Sequence, residues 1–191
     1  MRTGKLQSAA GYEHALIPAL PWAPGRIYYS TAAINGFSTQ NLPSGRTIYQ
    51  PFYVPPGGVL PDRIGCRVST AYASGSVRLG LYADAGGVPG ALLGETGDQA
   101  ITAIANIFTA ITTPQPGWVW AAFNHNGSGG GAFQTFAYAT SPLRASIGAN
   151  GLVSNATPYV DETVIGSGFP ASAGTLLVSN DHIPVVALWR A

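Results

Sequence analysis

Between residues 76 and 82 apolar and polar side chains alternate: Val77, Leu79 and Leu81 fall on one face of an extended chain, and Arg78, Gly80 and Tyr82 on the other. That period of two predicts a half-buried β-strand. The strand runs into residues 84–90, where a Gly-Gly pair and Pro89 supply the left-handed and fixed-φ positions of a connecting turn, and a second apolar run follows. Similar runs recur at 48–54, 63–70, 90–93 and 117–123, divided by breakers such as Pro55-Pro56-Gly57-Gly58. This spacing is that of an antiparallel sandwich. Further short strands are expected around 132–138, 176–178 and 185–188. Residues 99–110 admit a helix, with Ile101, Ile104 and Phe108 on one face, but Thr, Ile and Phe favour strands, so a strand or irregular crossing is preferred. The glycine tract at 127–131 reads as a flexible loop. The expected fold is all-β, an antiparallel β-sandwich of jelly-roll type with an extended N-terminal arm and little helix.

The arm is residues 1–47 and the sandwich body residues 48–191. The first stretch is broken at short intervals by Pro18, Pro21, Pro24-Gly25, Asn35-Gly36, Pro43 and Ser44-Gly45, leaving only small apolar pieces such as Ile27-Tyr28-Tyr29. Such a segment cannot build a core of its own. Its aromatic residues Trp22, Tyr28 and Tyr29 are therefore candidate contacts: each either pins the arm to its own body or anchors it in a neighbouring subunit, where Trp and Tyr are enriched.

Composition sharpens the class. Only 9% of the 191 residues are charged, with 25 glycines and 15 prolines, and the formal net charge is +1. Soluble domains average roughly 25% charged residues. A surface so poor in charge resists association weakly, which points to a homo-oligomer. Lys5 is the only lysine. That argues against nucleic acid as a partner, because phosphate neutralisation needs clustered Lys and Arg. No stretch of 18 apolar residues predicts a membrane span. Arg2 and Lys5 are not followed by the apolar run of a secretory signal, so if the protein works outside a cell, release from the cytoplasm by lysis is expected over secretion.

Candidate chemistry is sparse. Cys66 is the only cysteine, so no intrachain disulfide or thiolate cluster is possible, and it reads as a small core residue. Eight carboxylates are scattered singly apart from Asp161 and Glu162, whose adjacency in a strand would turn them to opposite faces rather than across a groove. His14, His125 and His182 lie far apart, without metal-ligand spacing. No catalytic residue, cofactor or metal site is expected. Trp118 and Trp120 share a strand face and are the candidate glycan-binding residues, as a stacking platform for sugar rings. In a sandwich such a pair more often fills the core between sheets. The alternation does not say which face is inward, since Val119, Ala121 and Phe123 opposite them are apolar too. Both faces of this strand are expected to be buried.

Tyr49-Gln50-Pro51-Phe52-Tyr53-Val54-Pro55, Asp62-Arg63-Ile64-Gly65, the run from Gly75 to Asp84 with Gly87-Val88-Pro89-Gly90-Ala91-Leu92-Leu93, and Pro116-Gly117-Trp118-Val119-Trp120-Ala121-Ala122-Phe123 together resemble a family of β-sandwich virion proteins of tailed bacteriophages. The closing Ile183-Pro184-Val185-Val186-Ala187-Leu188-Trp189-Arg190 is similar to the ends of such chains. The resemblance implies a non-enzymatic particle component on the exterior of a head or tail, of decoration or fibre type, trimeric and in contact with other virion proteins. It implies no catalytic residue, because the shared motifs are strands and turns. The alternative is a receptor-binding adhesin that recognises host surface glycan, and a glycan depolymerase is a distant third.

Overall fold

The structure is a computed structural model, and it describes residues 23–29, 37–56, 60–112, 114–136, 157–179 and 182–191. Among the described residues thirteen strands form two antiparallel sheets: β1 (Ile27–Tyr29), β2 (Phe37–Gln40), β3 (Arg46–Val54), β4 (Arg63–Thr70), β5 (Ser76–Asp84), β6 (Pro89–Glu95), β7 (Gln99–Ala100), β8 (Ala105–Ala110), β9 (Gly117–His125), β10 (Ala132–Phe136), β11 (Thr157–Asp161), β12 (Leu177–Ser179) and β13 (Ala187–Trp189). The chain is an all-β sandwich, and no helix occurs among the described residues.

The first sheet has the order β1-β13-β4-β10-β2, with β8 along the other edge of β4. The second has the order β12-β11-β3-β9-β5-β6, with β7 continuing the edge that β6 begins on β5. Alternation decides what each sheet buries. Phe52 and Val54 of β3, Val77, Leu79 and Leu81 of β5, and Val119, Ala121 and Phe123 of β9 face Ile64, Cys66 and Val68 of β4, Phe133 of β10 and Leu188 of β13. Cys66 sits in this core, where burial pushes its thiol up to about 12. Among the described residues β11 pairs only with residues 46–48 of β3, so Pro51 is paired on the β9 side alone, where a proline is tolerated inside a strand.

The stretch expected as an arm supplies strands to the body. Ile27–Tyr29 pairs with Ala187–Trp189, and Phe37–Gln40 with Ala132–Phe136. The ambiguous segment at 99–110 resolves into β7, a short crossing and β8, so its strand propensity outweighs the helical spacing of Ile101, Ile104 and Phe108. The glycine tract differs from the flexible loop its composition suggests. A Cβ at Gly131 would lie 2.2 Å from the Tyr72 ring and one at Gly127 2.4 Å from it, so these glycines form a packed turn that lets Tyr72 approach the backbone.

Candidate functional site

The outward face of the second sheet carries Tyr49, Tyr82, Trp120 and Ala122, and the chain covers it with its own residues 162–176. The cover is tied through its middle, at residues 166–170. Arg78 bridges Glu95 (3.2 Å) and Asp98 (2.7 Å), and these two carboxylates accept the backbone N–H groups of Phe169 (2.8 Å) and Gly166 (2.9 Å). The Tyr82 hydroxyl donates to the Pro170 carbonyl at 3.0 Å. Phe169 then lies edge-on to Tyr82, which lies edge-on to Tyr49.

This cover decides the fate of the tryptophan pair. Neither ring enters the core between the sheets, because Val119, Ala121 and Phe123 take the inward positions of β9. Trp120 is 3% exposed and donates its indole N–H to Asp84 at 2.8 Å, so the two-ring sugar platform suggested by the spacing is closed at this residue. The expectation that both faces of the strand are buried holds at Trp120 and ends at Trp118. Trp118 is 38% exposed and pairs with Tyr53 across the strands, centroids 5.3 Å apart, as a small aromatic ledge beyond the cover.

Of the arm aromatics, Tyr28 points inward, packs against the inter-sheet core and accepts the Ala23 N–H on its hydroxyl at 2.7 Å. Tyr29 points outward and is 37% exposed. Trp22 lies outside the described residues.

Tyr29 belongs to the second aromatic surface, the outer face of the first sheet. Register places Tyr29, Ala187, Gly65 and Phe108 in one row across four strands, with aromatic rings at the ends and small residues between. Three inter-strand steps of about 4.8 Å separate the end strands by about 14 Å. The row is therefore a shallow trough, of about 70 Å³, with Arg67, Asn106 and Gln134 at one end. At the other end Trp189 packs edge-on to Phe108 at 5.4 Å, and the Arg63 guanidinium lies over the Trp189 ring at 5.4 Å. Beside Tyr29, Phe37 is exposed and contacts both Tyr29 and Phe136. Sequence spacing singled out Tyr29 but missed Phe108, Gly65, Arg67 and Trp189, because their neighbourhood is created by pairing strands far apart in the chain.

The ionisable groups are occupied elsewhere. Asp62 pairs with Arg190 and Asp161 with Arg46; Asp84 holds Trp120 and the Gly87 N–H; Glu162 accepts from Tyr49. With Glu95 and Asp98 on Arg78, each of the six described carboxylates has a structural partner. His125 is buried in the core beside Tyr72, Phe123 and Phe133. Its Nδ1 accepts the Gly127 N–H, so Nε2 carries the proton and donates to the Leu42 carbonyl. Burial lowers its pKa to about 4, keeping it neutral. No group of three metal-ligating side chains occurs among the described residues.

No protein-family model and no curated protein matches this chain. The geometry therefore bears the functional argument. It offers two aromatic surfaces suited to contact, the trough and the Tyr53–Trp118 ledge, and carboxylates committed to holding the fold.

Proposed function

We propose that the chain is a non-enzymatic structural subunit of a tailed-bacteriophage particle, an exterior β-sandwich of jelly-roll type and of decoration or fibre character. The observation that carries this reading is the uncovered apolar row on β1 and β2. Ile27, Tyr29 and Phe37 are all more than a third exposed, on strands contributed by the stretch before residue 48. In a chain with 9% charged residues, such a row is a surface for a neighbour. The resemblance of the strand and turn segments to tailed-phage virion proteins supplies the setting: other virion proteins as partners, three copies per assembly, and a place on the virion exterior. Commitment of each described carboxylate to a structural partner favours contact over hydrolysis.

Antibody raised against the purified chain tests this directly. In negative-stain images of a lysate that contains the protein, it should label the outside of tailed particles at regular positions. Protein found wholly in the particle-free fraction overturns the reading.

The second reading is a receptor-binding module for host surface glycan. The trough between Tyr29 and Phe108 favours it, since aromatic walls with a cluster of planar polar side chains suit a sugar ring.

A further inference from the structure

We propose that the trough on the outer face of the first sheet binds an acidic saccharide, one carrying a uronic-acid or similar carboxylate. The proposal rests on the glycan-binding reading and names its ligand class and its residues.

The floor of the trough selects against a peptide. It is formed by β4 and β13, which are interior strands: β4 is paired with β8 on one side and with β13 and β10 on the other, and β13 lies between β1 and β4. Their backbone groups are consumed by the ladders. An extended peptide docks chiefly by adding to a free sheet edge, and this floor offers it none. Recognition here falls to side chains. Tyr29 and Phe108 present ring faces and edges for the C–H surface of a pyranose; the Phe108 ring leans over Gly65, and the small Ala187 side chain leaves the space toward Tyr29 open.

The polar end sets the charge. Arg67 donates from Nη1 to Asn106 Oδ1 at 2.9 Å, which fixes the guanidinium beside Gln134. A planar guanidinium held this way presents paired donors to a carboxylate, while Asn106 and Gln134 offer donors and acceptors to hydroxyls. Among the described residues the lining contains no acid, and Arg63 lies at the opposite end on Trp189. The nearest acid along the chain, Asp62, is engaged by Arg190 at 3.0 Å. Two arginines without a facing carboxylate among the described residues make an anionic ligand the complementary one.

The experiment is calorimetric titration of the full chain with a panel of carboxylated oligosaccharides (galacturonate, glucuronate, mannuronate and sialylated) beside their neutral counterparts and hexa-aspartate. Binding of at least one acidic member is expected, weakened by salt. Arg67→Gln and Tyr29→Ala should each lower its affinity at least tenfold, and Trp118→Ala should leave it unchanged. Tyr29 and Arg67 are exposed, and an unchanged circular dichroism spectrum confirms that both variants fold. Equal binding of acidic and neutral members overturns the acidic class while the glycan reading stands. Binding of hexa-aspartate alone, or of nothing on the panel at millimolar concentration, overturns the saccharide itself. Loss of binding in Trp118→Ala but not in Arg67→Gln moves the site to the Tyr53–Trp118 ledge and overturns the trough.

Discussion

At the scale of single residues, His125 and Gly65 carry the sharpest consequences. His125 remains neutral in the fold down to about pH 4, whereas an imidazole in the unfolded chain takes up a proton near 6.5. Below pH 6.5 the unfolded chain binds a proton that the folded one excludes. Stability is therefore whole above that pH and lost as pH falls toward 4, by about 3 kcal/mol at the lower end. Glu162 works the opposite way: burial pushes its carboxyl up, against the Thr47 and Tyr49 hydroxyls, so it costs least when protonated. Urea midpoints at pH 7 and pH 4.5 should show the loss, and His125→Gln should flatten it while lowering stability at neutral pH. At Gly65 a Cβ would lie 2.3 Å from the Ile107 carbonyl oxygen and 2.4 Å from the Phe108 ring. Gly65→Val is expected to cost about 2 to 3 kcal/mol by forcing β4 and β8 apart, read as a drop in thermal midpoint.

At the scale of elements, the cover of residues 162–176 is held to the β5–β6 hairpin by Arg78 and the two carboxylates it organises. The Arg78 side chain is 11% exposed and its partners 30%. Arg78→Met leaves Glu95 and Asp98 facing each other without a cation, at a cost of roughly 2 kcal/mol after allowing for their solvent access. Hydrogen exchange at Gly166 and Phe169 should quicken first, and tryptophan emission should shift to the red as Trp120 meets water. Unchanged exchange in the cover would place its attachment in the backbone bonds from Leu92 to Ala171 and from Ala173 to Gly90 instead. β8 is a second exposed element. Among the described residues it pairs only with β4, and it carries neither charge nor proline. Phe108→Lys should reduce concentration-dependent light scattering if this edge drives self-association, as unprotected edges do.

For the whole molecule, the joining of the N-terminal strands to the C-terminal one has a clear effect on truncation. β1 lies against β13 and β2 against β10, so removing residues 1–47 strips both strands from the first sheet and exposes its core. Such a truncated chain should be insoluble or molten, whereas one lacking only residues 1–22 should retain the sandwich, as judged by near-ultraviolet circular dichroism. The charge-poor surface predicts a homo-oligomer, three copies by resemblance. Sedimentation at micromolar concentration checks the count, and a monomer there would count against an intrinsic oligomer.

Local pattern alone determined the class and much of the strand layout: the alternation of Val77, Leu79 and Leu81, the breakers at 84–90, and the buried Cys66 all stand in the structure as the sequence reads. A period of two encodes a strand and its two faces without any knowledge of partners. It does not encode which face meets the other sheet when both are apolar. At Trp118 and Trp120 that choice was made by Val119, Ala121 and Phe123 packing inward and by residues 162–176 folding over the outside, a contact between segments some forty positions apart. The trough is the stronger case. Tyr29 was legible as a contact residue, but Gly65, Phe108 and Ala187 are unremarkable in their own neighbourhoods, and only the registers of three strand pairs set all four in one row. Register is fixed by burial of the inner face as a whole, so the surface it creates on the outer face belongs to the tertiary structure and not to any local stretch of the chain.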